Sequence, residues 1–304
     1  MLILEPIAHE TIWGGKKLLP FCPEKHDILG HLYSLVSNGE FESKILNGEY
    51  KNTLFKDYFN ENKRKYHLQD YKEFPFVVAL VDPAEDLSIQ VHPDDECAKK
   101  YENRTFGKNE SWYFIEPPEN GWLFNGCKLQ DKNEIQNKIA QNRVEEEIID
   151  RLNIEKDDYV FVEAGTIHAA THGALFYEIE ENCNLTYRFY DFNRKDKNGN
   201  SRELHIEKAL QAIKPELKSK TQKYNDAEIT ERFYSTRLYE NKCEYQNNSQ
   251  TLECLTILNG ESKIDNIKIH TGMTIVLEPN EQIRLNKSTF IMARPNTKTN
   301  EVTE

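Results

Sequence analysis

The sequence predicts a mainly β protein: a larger β-rich unit carrying helical insertions, then a smaller all-β unit. Three observations predict it. Short runs rich in branched and aromatic residues recur, with clean period-two alternation in residues 86–92 and further runs at 159–162 and 175–179. Turn signals punctuate them, at Gly165, Asn259-Gly260 and Thr271-Gly272. Helical spacing of apolar residues is confined to a few polar stretches. At roughly 150 residues per domain, the 304 residues suit about two domains.

The chain carries 39 Lys plus Arg against 51 Asp plus Glu, a net charge of −12. That balance argues against a nucleic-acid partner and against docking on anionic lipid. Aromatic residues are plentiful, with 15 Phe, 15 Tyr and 3 Trp, so a sizeable core can form. The longest apolar run, 74–81, is far short of the roughly 20 residues of a membrane span. The opening Met-Leu-Ile-Leu-Glu-Pro lacks a basic region followed by an apolar one. The six cysteines, Cys22, Cys97, Cys127, Cys183, Cys243 and Cys254, are dispersed without a CxxC pair. They read as reduced thiols, and the expected location is cytoplasmic.

Helical insertions are expected at about 55–70, 94–104, 129–153 and 203–214. In the third, Ile135, Ile139, Val144, Ile148 and Leu152 recur mostly at four-residue steps. In the fourth, Leu204, Ile206, Ala209, Leu210 and Ile213 precede Lys214-Pro215, which ends a helix. The polar stretch 216–230 is the best boundary, which divides the chain into 1–220 and 221–304. Residues 232–294 are strand-like again, and the tail from Glu301 is expected to fray.

Chemistry concentrates in four segments. In Gln90-Val91-His92, two-residue spacing puts Gln90 and His92 on one face of a strand, while Leu87, Ile89 and Val91 share the other. A polar strand face suits a barrel whose interior holds a site, or simply the wet side of a surface strand. Glu110 opens an aromatic strand, where a carboxylate is paired, ligating, or at a surface strand end. The turn at Gly165 delivers His168 into the next strand, where a lone histidine is commonly structural. Arg188 alternates with large aromatics, and suits either an anion in the same interior or a cation–π contact. Taken together, Gln90, His92, Glu110 and His168 supply two imidazoles and two oxygen ligands. That set suits a borderline divalent ion such as zinc, with positions left open for substrate. His168 and His172 lie four apart, but the metalloprotease Glu is missing and Gly173 spoils a helix.

In this order, Leu87-Ser-Ile-Gln-Val-His-Pro-Asp-Asp95, Gly107-Lys-Asn-Glu-Ser-Trp-Tyr113, Ala164-Gly-Thr-Ile-His-Ala169 and Thr186-Tyr-Arg-Phe-Tyr-Asp191 resemble the type I mannose-6-phosphate isomerases. The likeness is to their short bacterial form. Trp13-Gly14-Gly15 and Arg202-Glu-Leu-His-Ile206 also match. The resemblance covers roughly residues 1–215 well and the rest loosely. It implies a pair of cupin-type β-barrels, or jelly rolls, with helical insertions. The second barrel would be degenerate and without metal, its only histidine being His270.

The resemblance further implies one zinc ion per chain, held by Gln90, His92, Glu110 and His168. Arg188 is the implied catalytic residue, and Lys108 and Trp13 the implied substrate-binding residues. The implied reaction interconverts mannose 6-phosphate and fructose 6-phosphate through a cis-enediol. Its partner is a small hexose phosphate, and the chain is expected as a monomer or a homodimer.

Several positions depart from the family pattern. Gly30-His31-Leu32-Tyr33 stands where short-form members have Gly-Glu-x-Trp. Ala79 replaces a strand lysine, Glu163 replaces a proline, and Glu180-Glu-Asn-Cys-Asn184 replaces Gln-Gln-Asn-Ser-Asp. They motivate a second reading: a metal-binding relative with altered or absent catalysis that binds a sugar phosphate.

Overall fold

The computed structural model describes residues 1–22, 24–224 and 227–297, so the expected frayed tail lies outside the described residues. Strands dominate. Among the described residues, four α-helices interrupt them: Phe55–Asn62, Asp95–Glu102, Lys132–Ala140 and Ile206–Ala212.

Two antiparallel sheets face each other and enclose the site. The larger has seven strands, in spatial order Thr221–Lys223, Asp158–Val162, Glu110–Glu116, Leu175–Glu181, Phe76–Val81, His31–Leu35 and Ile7–His9. The smaller has five: Tyr187–Tyr190, Ile89–Val91, His168–Ala169, Trp122–Cys127 and Ile149–Asn153. Both sheets are open, with an edge strand at each end.

The central strands of the seven-stranded sheet are buried on both sides, and their register explains which residues go where. Ser111, Ile179, Val78 and Leu35 form one cross-strand row, and Tyr113, Tyr177, Leu80 and Leu32 the next. That face shares a core with Leu2, Leu4, Cys254, Val276 and Ile291 from a third sheet. The opposite face presents Trp112, Phe114, Phe176, Ala79 and Val81 to the core that includes Ile89 and Val91. On this inner face the same alternation also delivers Glu110, Glu178 and Glu180.

The third sheet has six strands: Leu2–Leu4, Thr274–Leu277, Glu253–Asn259, Gln282–Pro295, Tyr234–Gln246 and Ile229–Thr230. Sheet pairing therefore crosses position 220 in both directions. Leu2–Leu4 pairs with Thr274–Leu277, and Thr221–Lys223 pairs with Asp158–Val162.

The helical insertions are shorter than the sequence suggests. Asp94 caps Asp95–Glu102 by accepting from the Cys97 amide at 2.9 Å, and Asn103 ends it in the left-handed region at φ 53°. In 129–153, Asp131 caps Lys132–Ala140 through the Asn133 amide at 2.7 Å. A π-helical turn, Val144–Ile148, follows, and Ile149–Asn153 is then a strand paired with Trp122–Cys127. The four-residue apolar spacing misleads at its end, because cross-strand pairing with Leu123 and Phe124 overrides local periodicity.

Candidate metal centre

Each functional side chain is set in place by an identifiable local device. Strand Ile89–Val91 lies between Tyr187–Tyr190 and His168–Ala169, with Arg188 opposite Gln90 and His168 opposite Gln90 on the other side. Arg188, Gln90 and His168 therefore form one cross-strand row. Gly165, at φ 101°, makes a turn open to glycine, and its amide donates to the His92 carbonyl at 2.9 Å. This bond ties the turn before His168 to the residue that ends the Gln90-Val91-His92 run. From the facing sheet, Glu110 begins strand Glu110–Glu116 and lies opposite Glu180.

The two sheets bring His92, Glu110 and His168 together, with one potential ligand atom from each lying within 4.8 Å of the others. His92 Nε2 is 3.1 Å from Glu110 Oε2, and His168 Nε2 is 3.2 Å from Glu110 Oε1. All three residues are at most 1% exposed. Each imidazole is oriented by its other nitrogen: His92 Nδ1 bonds the Leu185 carbonyl and His168 Nδ1 the Thr166 carbonyl, both at 2.9 Å. A carbonyl only accepts, so both Nδ1 atoms carry the proton and both Nε2 lone pairs point at the centre. His92 Nε2 and Glu110 Oε1 are buried with no hydrogen-bond partner. Such orphaned acceptors are costly in a dry interior, and a divalent cation satisfies them.

The electrostatics agree with this. Burial, assisted by the Lys108 ammonium, pulls His92 down to about 4, which leaves a neutral imidazole. Burial alone would raise Glu110, but His92, Lys108 and His168 hold it well below the usual carboxylate range. A neutral His92 imidazole and an ionised Glu110 carboxylate are the states a zinc-like ion requires of these two residues.

Gln90 sits at the edge of this cluster, its Nε2 3.4 Å from His168 Nε2 and its Oε1 3.4 Å from Ser88 Oγ. Rotating the amide by 180° would exchange these two atoms, the ordinary ambiguity of a glutamine side chain. Arg188 donates through Nε to Ser88 Oγ at 3.0 Å and through Nη1 to the Glu203 carbonyl at 3.3 Å. Lys108 lies on the opposite wall, in contact with Glu180 and 3.4 Å from Glu110 Oε2. Burial would lower the lysine, but the facing carboxylates, Glu180 first, outweigh it and keep the ammonium charged. Trp13 is 5% exposed and turns its ring edge-on to His31, with centroids 5.1 Å apart. His172 points elsewhere and bonds Asp86 through Nδ1 at 2.6 Å, so the four-residue spacing from His168 has no shared purpose.

Three arrangements around the site depend on packing that the sequence does not reveal. Glu178 is buried between Trp112 and Ala79 in the register and accepts from the Trp112 indole N–H at 2.9 Å. Burial, then the nearby Glu110 and Glu180, raise its carboxyl well above the usual range. The period-two pattern Phe176, Glu178, Glu180 was the available signal. Beside them, His9, His31 and Tyr33 stack, His31 on Tyr33 at 5.3 Å and nearly parallel. Asn125, opposite His168, is fully buried and bonds the backbone and hydroxyl of Ser219.

The site and the fold define a class, a β protein with a buried two-histidine, one-glutamate cation site between facing sheets. The model for the phosphomannose isomerase type I catalytic domain matches residues 1–115. The chain is 32% identical over 215 residues to mannose-6-phosphate isomerase ManA of Bacillus subtilis, covering 70% of this chain and 67% of that protein. It is 34% identical over 216 residues to the probable mannose-6-phosphate isomerase GmuF of the same organism, covering 70% and 68%. The crystal structure of a Bacillus subtilis mannose 6-phosphate isomerase superposes with a TM-score of 0.83 at 26% identity, covering 96% of this chain and 98% of that one. A putative mannosephosphate isomerase from Archaeoglobus fulgidus shares the fold, with a TM-score of 0.77 at 15% identity and 97% and 98% coverage. The chain belongs to the type I phosphomannose isomerases.

Proposed function

We propose that this protein is a zinc-dependent aldose–ketose isomerase that interconverts mannose 6-phosphate and fructose 6-phosphate. The observation that carries the reading is the convergence of His92 Nε2, Glu110 and His168 Nε2, in a chain with these relatives. We read the facing sheets as a cupin-type jelly roll built mainly from 1–220, and the six-stranded sheet as a degenerate second one built mainly from 221–304 and completed by Leu2–Leu4.

His92, Glu110 and His168 would hold the ion, with Gln90 as a fourth ligand when its carbonyl oxygen turns inward. Zinc supplies Lewis acidity toward the carbonyl and hydroxyl oxygens of the sugar. The protein does the rest. Arg188 is held by Ser88 and the Glu203 carbonyl through two of its nitrogens, and its positive charge stabilises the developing enediolate. Lys108 is kept protonated by its carboxylate partners and donates to sugar oxygens on the opposite wall. The buried faces of Trp112 and Phe176 keep water from the reacting carbons. Trp13 fixes the ring of His31, which lines the same side.

The test is direct. Purified protein is analysed for metal, and the zinc-loaded form is assayed with mannose 6-phosphate in a coupled assay. One zinc per chain with turnover is expected. Zinc with hexose-phosphate binding and no turnover would replace the isomerase with the binding relative.

A further inference from the structure

A second, open cavity of about 1410 Å³ lies in the C-terminal sheet, apart from the metal centre. It is built by the same device, alternation on paired strands. On strand Tyr234–Gln246, Ser235, Arg237 and Tyr239 share one face. Arg237 pairs with Met292, and Met292 with Leu255, so Arg237 joins a row whose other members are core residues. A guanidinium cannot lose its charge, and here its Nε is buried with no hydrogen-bond partner. The Tyr239 ring lies beside it, 5.2 Å from Cζ to centroid.

Two other charged residues of this wall, Arg294 and Glu253, already have partners. Arg294 bonds Glu228 at 2.6 Å and approaches Glu253 at 3.7 Å, and Tyr245 donates to Glu253 at 2.7 Å. Among the described residues Arg237 forms no ion pair, and it stands in a cavity also lined by Glu231, Glu244 and Lys242, beside two tyrosines packed edge to face at 5.0 Å. Arg237 is half-buried, and its unsatisfied Nε–H beside the cavity is a donor suited to an anion. Tyrosine faces suit the C–H surface of a sugar ring, and the side-chain amides of Gln246 and Gln250 in the same lining suit its hydroxyls.

We propose that this cavity is a second binding site, for a monosaccharide bearing one anionic group, with Arg237 taking the anion. It is separate from the metal centre and does not depend on the catalytic reading. The test is calorimetric titration of the full-length, zinc-loaded protein with glucose 6-phosphate, gluconate and inorganic phosphate as separate probes. A sugar phosphate or a sugar acid is expected to bind at least tenfold more tightly than inorganic phosphate, and the two sugar probes distinguish the anion. Arg237→Gln is expected to weaken that binding at least tenfold while isomerase turnover stays within twofold. Arg237→Lys keeps the charge and the packed stem and is expected to fall between the two, which guards against misreading a folding defect. Arg188→Ala is expected to leave this binding intact. Identical titrations of wild type and Arg237→Gln, or binding lost in Arg188→Ala alone, or no binding to the wild type, would overturn the proposal.

Discussion

His168 Nε2 lies 3.2 Å from Glu110 Oε1, although the two residues belong to different sheets. The contact exists because a two-residue strand on one sheet faces the first residue of a strand on the other. Each residue is almost wholly buried. Removing His168 should cost metal more than fold. His168→Ala is expected to lower zinc affinity by two orders of magnitude or more, read by competition with a chelator. Unchanged affinity would place the ion elsewhere.

Lys108 and Glu180 form a buried ion pair across the same pocket. Removing one partner strands the other, so Lys108→Met is expected to destabilise the protein by about 3–5 kcal/mol in denaturant unfolding. The double variant Lys108→Met with Glu180→Gln should recover most of that stability and none of the activity. Glu180→Gln alone frees the ammonium for substrate, and a several-fold fall in KM for mannose 6-phosphate is expected. A rise in KM would mean that Glu180 itself holds the sugar.

Arg188 is anchored through Nε and Nη1, so its position does not depend on substrate. Arg188→Lys keeps a charge and loses the fork. A fall in kcat of about 10²–10³, with zinc content unchanged, is expected for lost stabilisation of a developing anion. An effect confined to KM would assign Arg188 to ground-state binding.

The pH dependence follows from His92, which is buried, and His31, which is half-buried. Burial first, then His9 and Lys108, lower His31 to about 3, and His92 sits at about 4, against 6.5 when unfolded. The unfolded chain binds these protons first as pH falls. Stability is therefore complete above pH 6.5 and is lost progressively as pH falls toward 4, at about 1.4 kcal/mol per pH unit for each histidine. Chelator-treated protein should show this slope in denaturant unfolding between pH 6.5 and 4. His31→Gln should reduce the slope by about one proton, and an unchanged slope would contradict the assignment.

Much of this site was legible in the sequence, because strand alternation is a local signal. Gln90 and His92 announce a polar strand face, and Glu110 is conspicuous at the head of an aromatic strand. The turn at Gly165 marks the entry of His168. Other features are set by partners far away in the chain. Nothing in Met1-Leu-Ile-Leu4 indicates pairing with Thr274–Leu277. The residues 149–153 pass for the end of a helix until their strand partner is known. Glu178 and Glu180 carry the right period, yet whether that face meets water or a second sheet is decided only by packing. Arg237 is similar: its inward direction is legible from alternation, but its lack of a counter-ion is not.

The central claim is that the His92, Glu110 and His168 cluster is a catalytic zinc site. The most direct measurement combines metal analysis and a mannose 6-phosphate isomerase assay on the wild type and on His92→Ala. One zinc and turnover are expected in the wild type, and loss of both in a folded His92→Ala. Full activity in zinc-depleted protein, or one zinc retained with undiminished turnover in His92→Ala, would contradict it.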